Sequence, residues 1–207
     1  MSQVRDEAGV KANVFISYSR TDGDAAVWLR HELEARNVGA FRDLDELIAS
    51  EEWWPRLTEM IAEADGVVLL LSPNSAGSKI CGDEIAFAQS LGKRIFPALI
   101  ESVEWLLVPE GLAKIHSVPL VDRSDRQVED LVEAILTDIP WVREHTRLLN
   151  RARQWKARKN DQSELLREGA LLEAEQWLSA QPVASPAPTQ LHQVFIKASR
   201  DAERAEQ

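Results

Sequence analysis

Apolar residues along this chain follow two rhythms, and the change between them divides it. Up to about residue 137 they form short, nearly continuous runs, separated by stretches where they recur every three or four positions. The runs are Val14-Phe15-Ile16-Ser17, Val38-Gly39-Ala40-Phe41, residues 67–71, residues 95–100 and Val118-Pro119-Leu120-Val121. A strand apolar at successive positions is one covered on both faces, as in a parallel sheet. The periodic stretches predict helices over 24–36 (Trp28, Leu29, Leu33), 52–64 (Trp53, Leu57, Met60, Ile61), 80–91 (Cys81, Ile85, Ala88, Leu91) and 125–136 (Val128, Leu131, Val132, Ile135). Strands joined by crossover helices give a doubly wound α/β domain.

The expected architecture is a flavodoxin-like five-stranded parallel sheet over residues 13–137, with residues 101–116 as its least regular connection. Strand patterns then cease. Pro140 suits a helix start, where its missing N–H costs nothing. His145, Leu148, Leu149, Ala152 and Trp155 continue at helical spacing, and 163–180 repeats the pattern with Gly169 as a break. An all-helical region over 140–180 is therefore expected. Residues 181–188, with three prolines, read as a stiff extended linker. Thr189 caps a last helix over 189–205 bearing Leu191, Val194, Phe195 and Ala198.

Composition excludes several classes. Of 207 residues 44% are hydrophobic and 28% charged, the balance of a chain that builds a core. Asp and Glu outnumber Lys and Arg 34 to 24, and a net charge of −10 repels phosphate, so nucleic acid is not an expected partner. The single cysteine, Cys81, excludes an internal disulfide and a cysteine-rich zinc site. The longest aliphatic run, 67–71, falls far short of the ~20 residues of a membrane span. The opening MSQVRDEAGVKA carries no apolar signal region, so a cytoplasmic chain is expected. Residues 142–167 are net +5, leaving −15 elsewhere; they read as a solvated helix face or as a docking surface for an acidic partner, including the chain's own α/β domain.

Candidate chemistry is sparse. Gly92-Lys93 has Phe87 where a phosphate-binding P-loop needs its first glycine. The run 67–71 ends in Ser72 rather than the aspartate of a phospho-accepting receiver. His31, His116, His145 and His192 lack metal-ligand spacing, so no metal is expected. Cys81 with His116 forms a thiol–base pair only on paper; a lone cysteine on an inner helix stripe is a small core residue. Glu84 stands out, three residues after Cys81 and on the flank facing the sheet. A carboxylate there is costly unless it is solvated, paired or at work in a cleft. Two readings stay open: a cleft carboxylate beyond the carboxyl end of a strand, or a complement to the positive end of its own helix.

Val14-Phe15-Ile16-Ser17-Tyr18-Ser19-Arg20 resembles the first box of TIR (Toll/interleukin-1 receptor) domains. Phe41-Arg42-Asp43-Leu44-Asp45 is similar to the second-strand motif leading into their BB loop. Val68-Leu69-Leu70-Leu71-Ser72-Pro73-Asn74-Ser75, followed by Cys81-x-x-Glu84-Ile85, resembles the segment that holds the TIR catalytic glutamate. Gly92-Lys93-Arg94-Ile95-Phe96-Pro97 matches the approach to the fourth strand. Two positions depart: Ile80 stands where catalytic members often place a tryptophan, and Ala49-Ser50 where the BB loop usually has Pro-Gly.

The resemblance, of bacterial effector type, implies cleavage of NAD⁺ at the nicotinamide–ribose bond, with NAD⁺ as substrate and no metal or organic cofactor. It implies Glu84 as the catalytic carboxylate, Ser17 and Arg20 on phosphate or ribose oxygens, and Asp43 and Asp45 in the loop that rims the pocket. Trp105 stands where related domains stack a tryptophan on a base; the bland alternative is a loop aromatic anchoring the helix below. The family further implies self-association as the trigger, and anti-phage or cell-death signalling as the setting. Residues 145–200 are similar to the helical connector that leads, in large bacterial TIR proteins, into WD-repeat or other sensor regions, so a sensor region or partner protein is expected through these helices; a longer parent protein and a stand-alone form are both open. Two other outcomes fit the same sequence: a non-catalytic TIR adaptor, and a cyclase making a cyclic ADP-ribose isomer.

Overall fold

A computed structural model describes residues 11–42, 53–104, 106, 108, 112, 115–183 and 185–206. These residues form a five-stranded parallel sheet in the order β2-β1-β3-β4-β5, from β1 (Ala12–Ser17), β2 (Val38–Arg42), β3 (Gly66–Leu71), β4 (Arg94–Leu99) and β5 (Val118–Pro119). Helices α1 (Gly23–Glu34), α2 (Trp53–Glu63), α4 (Lys79–Ser90) and α5 (Asp125–Leu136) cross between or follow the strands, and α3 (Pro73–Ala76) is a single turn after β3. The expected flavodoxin-like order is therefore present.

The central strand β3 is buried along its whole length, which is why its sequence is apolar without alternation. Successive side chains leave a strand on opposite faces. Val14, Ile16, Val68 and Leu70 accordingly pack with Leu29, Leu33, Leu131 and Ile135 of α1 and α5. Phe15, Val67, Leu69 and Leu71 pack with Leu57 and Ile61 of α2 and with Ile85 and Ala88 of α4.

Three local expectations need correction. The fifth strand was expected to run over 118–121 but pairs only through Val118–Pro119. Pro119 has no N–H to extend a ladder, and after Leu120 N–H donates to the Leu99 carbonyl (2.7 Å) the chain turns away with Val121 exposed. The segment 72–78, which falls between the predicted strand 67–71 and the helix predicted from 80 with no element expected of it, contains α3, because Ser72 forms a capping box with Ser75 and Pro73 fills the first helical position. The helix over 163–180 breaks before Gly169, not at it. A 3₁₀ turn, Gln162–Glu164, precedes an extended step, and α7 (Glu168–Ser179) starts after Arg167. The extended step buries the neighbouring Leu165 and Leu166 together, and Leu166 N–H donates to Ser199 Oγ at 3.0 Å.

Helix α6 (Ile139–Ala157), α7 and α8 (Gln190–Glu206) make a second core around Trp141, Leu148, Trp155, Trp177 and Phe195. Trp141 and Trp177 stack with centroids 4.7 Å apart, and Trp177 Nε1–H donates to the Trp141 carbonyl at 3.1 Å. Thr189 Oγ1 accepts from His192 N–H at 3.3 Å, the cap expected of it. The Pro-rich run is tied down on both sides: Ser185 Oγ donates to Asp138 Oδ2 (3.0 Å), and the Ala187 carbonyl faces His145 Nε2 (3.3 Å).

The seam between the two cores is continuous. Leu149 of α6 is buried in the layer formed by α2 and α4. Lys93 Nζ donates to the Ala62 and Ala64 carbonyls (2.9 and 2.8 Å), capping the end of α2, and bonds Thr146 Oγ1 of α6 at 3.1 Å. Asn150 Nδ2 reaches the same Ala62 carbonyl. Some of the basic charge over 142–167 is met within the chain: Arg147 and Arg158 pair with Glu144 and Glu164 of the same stretch, and Arg143 lies 3.9 Å from Asp65 of the α/β domain.

Candidate active site

In a doubly wound sheet, ligands bind beyond the carboxyl ends of the strands where the winding reverses. Here the reversal lies between β1 and β3, so the carboxyl ends of those strands define the place. β1 ends in Ser17, which is buried. β3 leads through Ser72 and α3 to Ser78, whose side chain caps α4 by accepting from Cys81 N–H at 3.3 Å. One turn into α4, Glu84 is 2% exposed. Ser17 Oγ–H donates to Glu84 Oε2 at 2.5 Å, joining residues from two elements far apart in sequence.

A charge-assisted O–H···O⁻ bond of this length is the strong kind and holds one carboxylate oxygen at a fixed angle. Cys81 lies in the same group. Burial pushes its thiol up; the Ser78 and Ser17 side chains oppose this, and the charges of Glu84 and Asp22 add to it. A buried thiol kept protonated is a core group, not a nucleophile, and His116 is exposed in the segment before β5.

Asp22 ends the 3₁₀ turn Arg20–Asp22 after β1. Its Oδ2 accepts from Ser72 Oγ–H (2.6 Å) and its Oδ1 from Asn74 Nδ2–H (3.1 Å). Sequence reading missed this group. The available signal was Ser72-Pro73-Asn74-Ser75, a capping sequence whose serine hydroxyl needs an acceptor of its own.

Of the residues singled out from sequence, Ser17 and Glu84 are brought together. Arg20 is exposed at the start of the turn after β1. Asp43, Asp45 and Trp105 lie outside the described residues, as do Ala49 and Ser50. Ile80 is 40% exposed one turn before Glu84. Trp53 and Trp54, at the start of α2, meet edge to face at 5.4 Å and pack on the layer that includes Cys81 and Ile85. A cavity of about 600 Å³ lies at the other end of α4, between Leu91, Leu149, Trp155, Lys156, Thr189 and Val194, and holds none of the expected site residues. Among the described residues no group of three or more His, Cys, Asp or Glu is placed to hold a metal ion. Nor is any helix among them long and apolar enough to cross a membrane.

The family model of the TIR domain matches residues 14–136, and the chain belongs to that family. Among solved structures it resembles the TIR domain of the Toll-related receptor TRR-2 from Hydra magnipapillata, at 21% identity and a TM-score of 0.51, over 59% of this chain and 96% of that one. It also resembles the TIR domains of the activated Roq1 resistosome that recognises the pathogen effector XopQ, at 16% identity and a TM-score of 0.49, over 60% of this chain and 99% of that one. No curated protein matches the chain.

Proposed function

We propose that this chain is an NAD⁺ glycohydrolase that cleaves the nicotinamide–ribose bond and is switched on by self-association of its TIR domain. The observation that carries the reading is the Ser17–Glu84 hydrogen bond at the carboxyl ends of β1 and β3. Nicotinamide leaves its pyridinium as a neutral molecule, so the leaving group needs no general acid. The demand that remains is the positive charge that builds on the ribose C1′. A carboxylate beside that carbon stabilises it more in the transition state than in the substrate. Glu84 supplies that charge, with Ser17 fixing the carboxylate's orientation. Water then bonds C1′ and releases a proton, giving ADP-ribose and nicotinamide. Arg20, exposed at the neighbouring turn, offers a cation to the diphosphate.

At 2% exposure Glu84 is closed to a dinucleotide in this conformation, so turnover requires what covers it to move aside while its bond to Ser17 is kept. That requirement is what assembly-dependent activation supplies: association with a second copy drives the opening. The same closure, with Ile80 in place of an aromatic wall, favours the second reading, a TIR adaptor that only mediates contacts.

The deciding experiment incubates purified chain with NAD⁺ across a range of protein concentrations. Release of ADP-ribose and nicotinamide, with a rate per chain that rises with concentration and vanishes in Glu84→Gln, is expected. A cyclised product assigns the same site to a cyclase. Untouched NAD⁺ at concentrations where the chain is shown to be assembled leaves the adaptor reading.

A further inference from the structure

Asp22 has no role in the reaction just described, yet it ties the turn after β1 to the segment that leads into α4, the helix of Glu84. Its two oxygens take protons from Ser72 Oγ (2.6 Å) and Asn74 Nδ2 (3.1 Å). Ser72 Oγ in turn accepts from the Asn74 and Ser75 amides, both at 3.1 Å. A serine hydroxyl has one proton and two acceptor lone pairs. Committing the proton to Asp22 turns both lone pairs toward the two amides. One carboxylate therefore sets the rotor of the serine that caps α3, and Ser72 N–H donates back to Ser75 Oγ at 2.9 Å. The turn after β1 and the segment after β3 are thereby locked together across the reversal point of the sheet.

That segment runs directly into Ser78, the cap of α4, and so sets where α4 begins. Glu84 meets Ser17 only if α4 begins at the right height above the end of β1.

We propose that Asp22 is a positioning residue for Glu84: it clamps residues 72–78 to the turn after β1 and so holds the start of α4 where Ser17 reaches the Glu84 carboxylate. The clamp stands on geometry alone, whereas its effect on turnover rests on the reading of Glu84 as catalytic.

The test compares the full chain with Asp22→Asn, Asp22→Ala and Asn74→Ala, using amide hydrogen exchange and NAD⁺ kinetics. Loss of a hydrogen bond to a charged group is expected to speed exchange at the Asn74, Ser75 and Cys81 amides by about tenfold to a hundredfold in the Asp22 variants. Asn74→Ala, which removes only the Oδ1 partner, gives a smaller change of the same sign and serves if the Asp22 variants do not fold. Amides of β3 and β4 stay protected. The Asp22 variants lose about tenfold or more in kcat while KM changes less than about twofold. Unchanged exchange at Asn74 and Ser75 overturns the clamp. Faster exchange with an unchanged kcat overturns the positioning role. Faster exchange in variants of a parent that leaves NAD⁺ untouched upholds the clamp and removes instead the catalytic reading of Glu84.

Discussion

Lys93 Nζ and Thr146 Oγ1 meet at 3.1 Å across the boundary between the α/β domain and the C-terminal helices. The amine is buried, and its two other partners are the carbonyls that end α2. A side chain that pairs orphan carbonyls of one helix while bonding the flank of another acts as a rivet between them.

Lys93→Met keeps the length of the stem and removes every bond. The Ala64 carbonyl then loses this buried donor while the Ala62 carbonyl keeps Asn150, an effect of about 1–3 kcal/mol, partly offset because an ammonium no longer has to be desolvated. The expected net loss is about 1–3 kcal/mol, read from urea unfolding. A variant as stable as the parent means that the rivet contributes nothing.

Buried titratable groups of the seam contribute to the pH response, with His145, His192 and Lys93 acting in one direction. Burial, followed by the charges of His192 and Lys93, holds His145 at about 3, below its usual 6.5. Burial likewise lowers His192, against the pull of the His145 carbonyl it faces. Below about pH 6.5 the unfolded chain takes up protons that the folded imidazoles refuse, so stability falls as pH drops from about 6.5 toward 3. Burial also brings Lys93 down from 10.5 to about 7, with Asp65 opposing and Arg153 adding to it. The unfolded chain binds the extra proton between those values, so this residue makes stability rise from about pH 7 to 10.5. Urea midpoints across pH 4 to 10 check both limbs, and the alkaline rise is expected to disappear in Lys93→Met.

Gly92 is held at φ +65°, in the left-handed region. A Cβ there would lie 3.0 Å from Thr189 Cγ2 and 3.4 Å from His145 Nε2. Gly92→Ala combines the backbone penalty of ~1–2 kcal/mol with that contact. It is expected to lower the thermal midpoint by several degrees and to loosen α8 first, seen as faster exchange at Gln193 and Val194.

Much of this molecule is legible in its amino-acid order. The strands announce themselves because β1 and β3 are buried on both faces, so Val14 to Ile16 and Val67 to Leu71 have no polar position to blur the pattern. Glu84 is conspicuous for the opposite reason, a carboxylate on a stripe otherwise made of Cys81, Ile85 and Ala88. The pairing of Ser17 with Glu84 is less visible, since it depends on strand order rather than on spacing. The seam is hidden altogether. Lys93 reads as an ordinary polar residue at the start of a strand, and nothing near it in sequence says that its partners are at 62, 64 and 146. The two histidines of the seam look scattered until α6 and α8 are packed, whereupon their rings lie 4.5 Å apart.

Ser17→Ala separates two effects of the site hydrogen bond. Without the donor, the buried Glu84 carboxylate loses a charge-assisted partner worth about 1.5–3 kcal/mol. If Glu84 works on NAD⁺ as proposed, kcat falls about tenfold to a hundredfold, because the carboxylate is no longer held at the reacting angle. An unaltered kcat in a folded variant means that orientation of Glu84 by Ser17 has no part in turnover.

Trp155 Nε1 is buried without a hydrogen-bond partner among the described residues. Replacing the indole by Phe removes an unpaired donor along with some packing. Trp155→Phe is therefore expected to change stability by less than about 1.5 kcal/mol, small for a buried tryptophan.

The place of Leu149 has a consequence for synthesis. This side chain closes the layer over Leu57, Ile61 and Leu91, although it comes after every strand of the sheet. A ribosome has therefore released the whole parallel sheet before it delivers the leucine that seals one side of it. Until then the nascent α/β domain carries an oily gap, and a gene trimmed just after α5 would yield protein with that gap left open to precipitation.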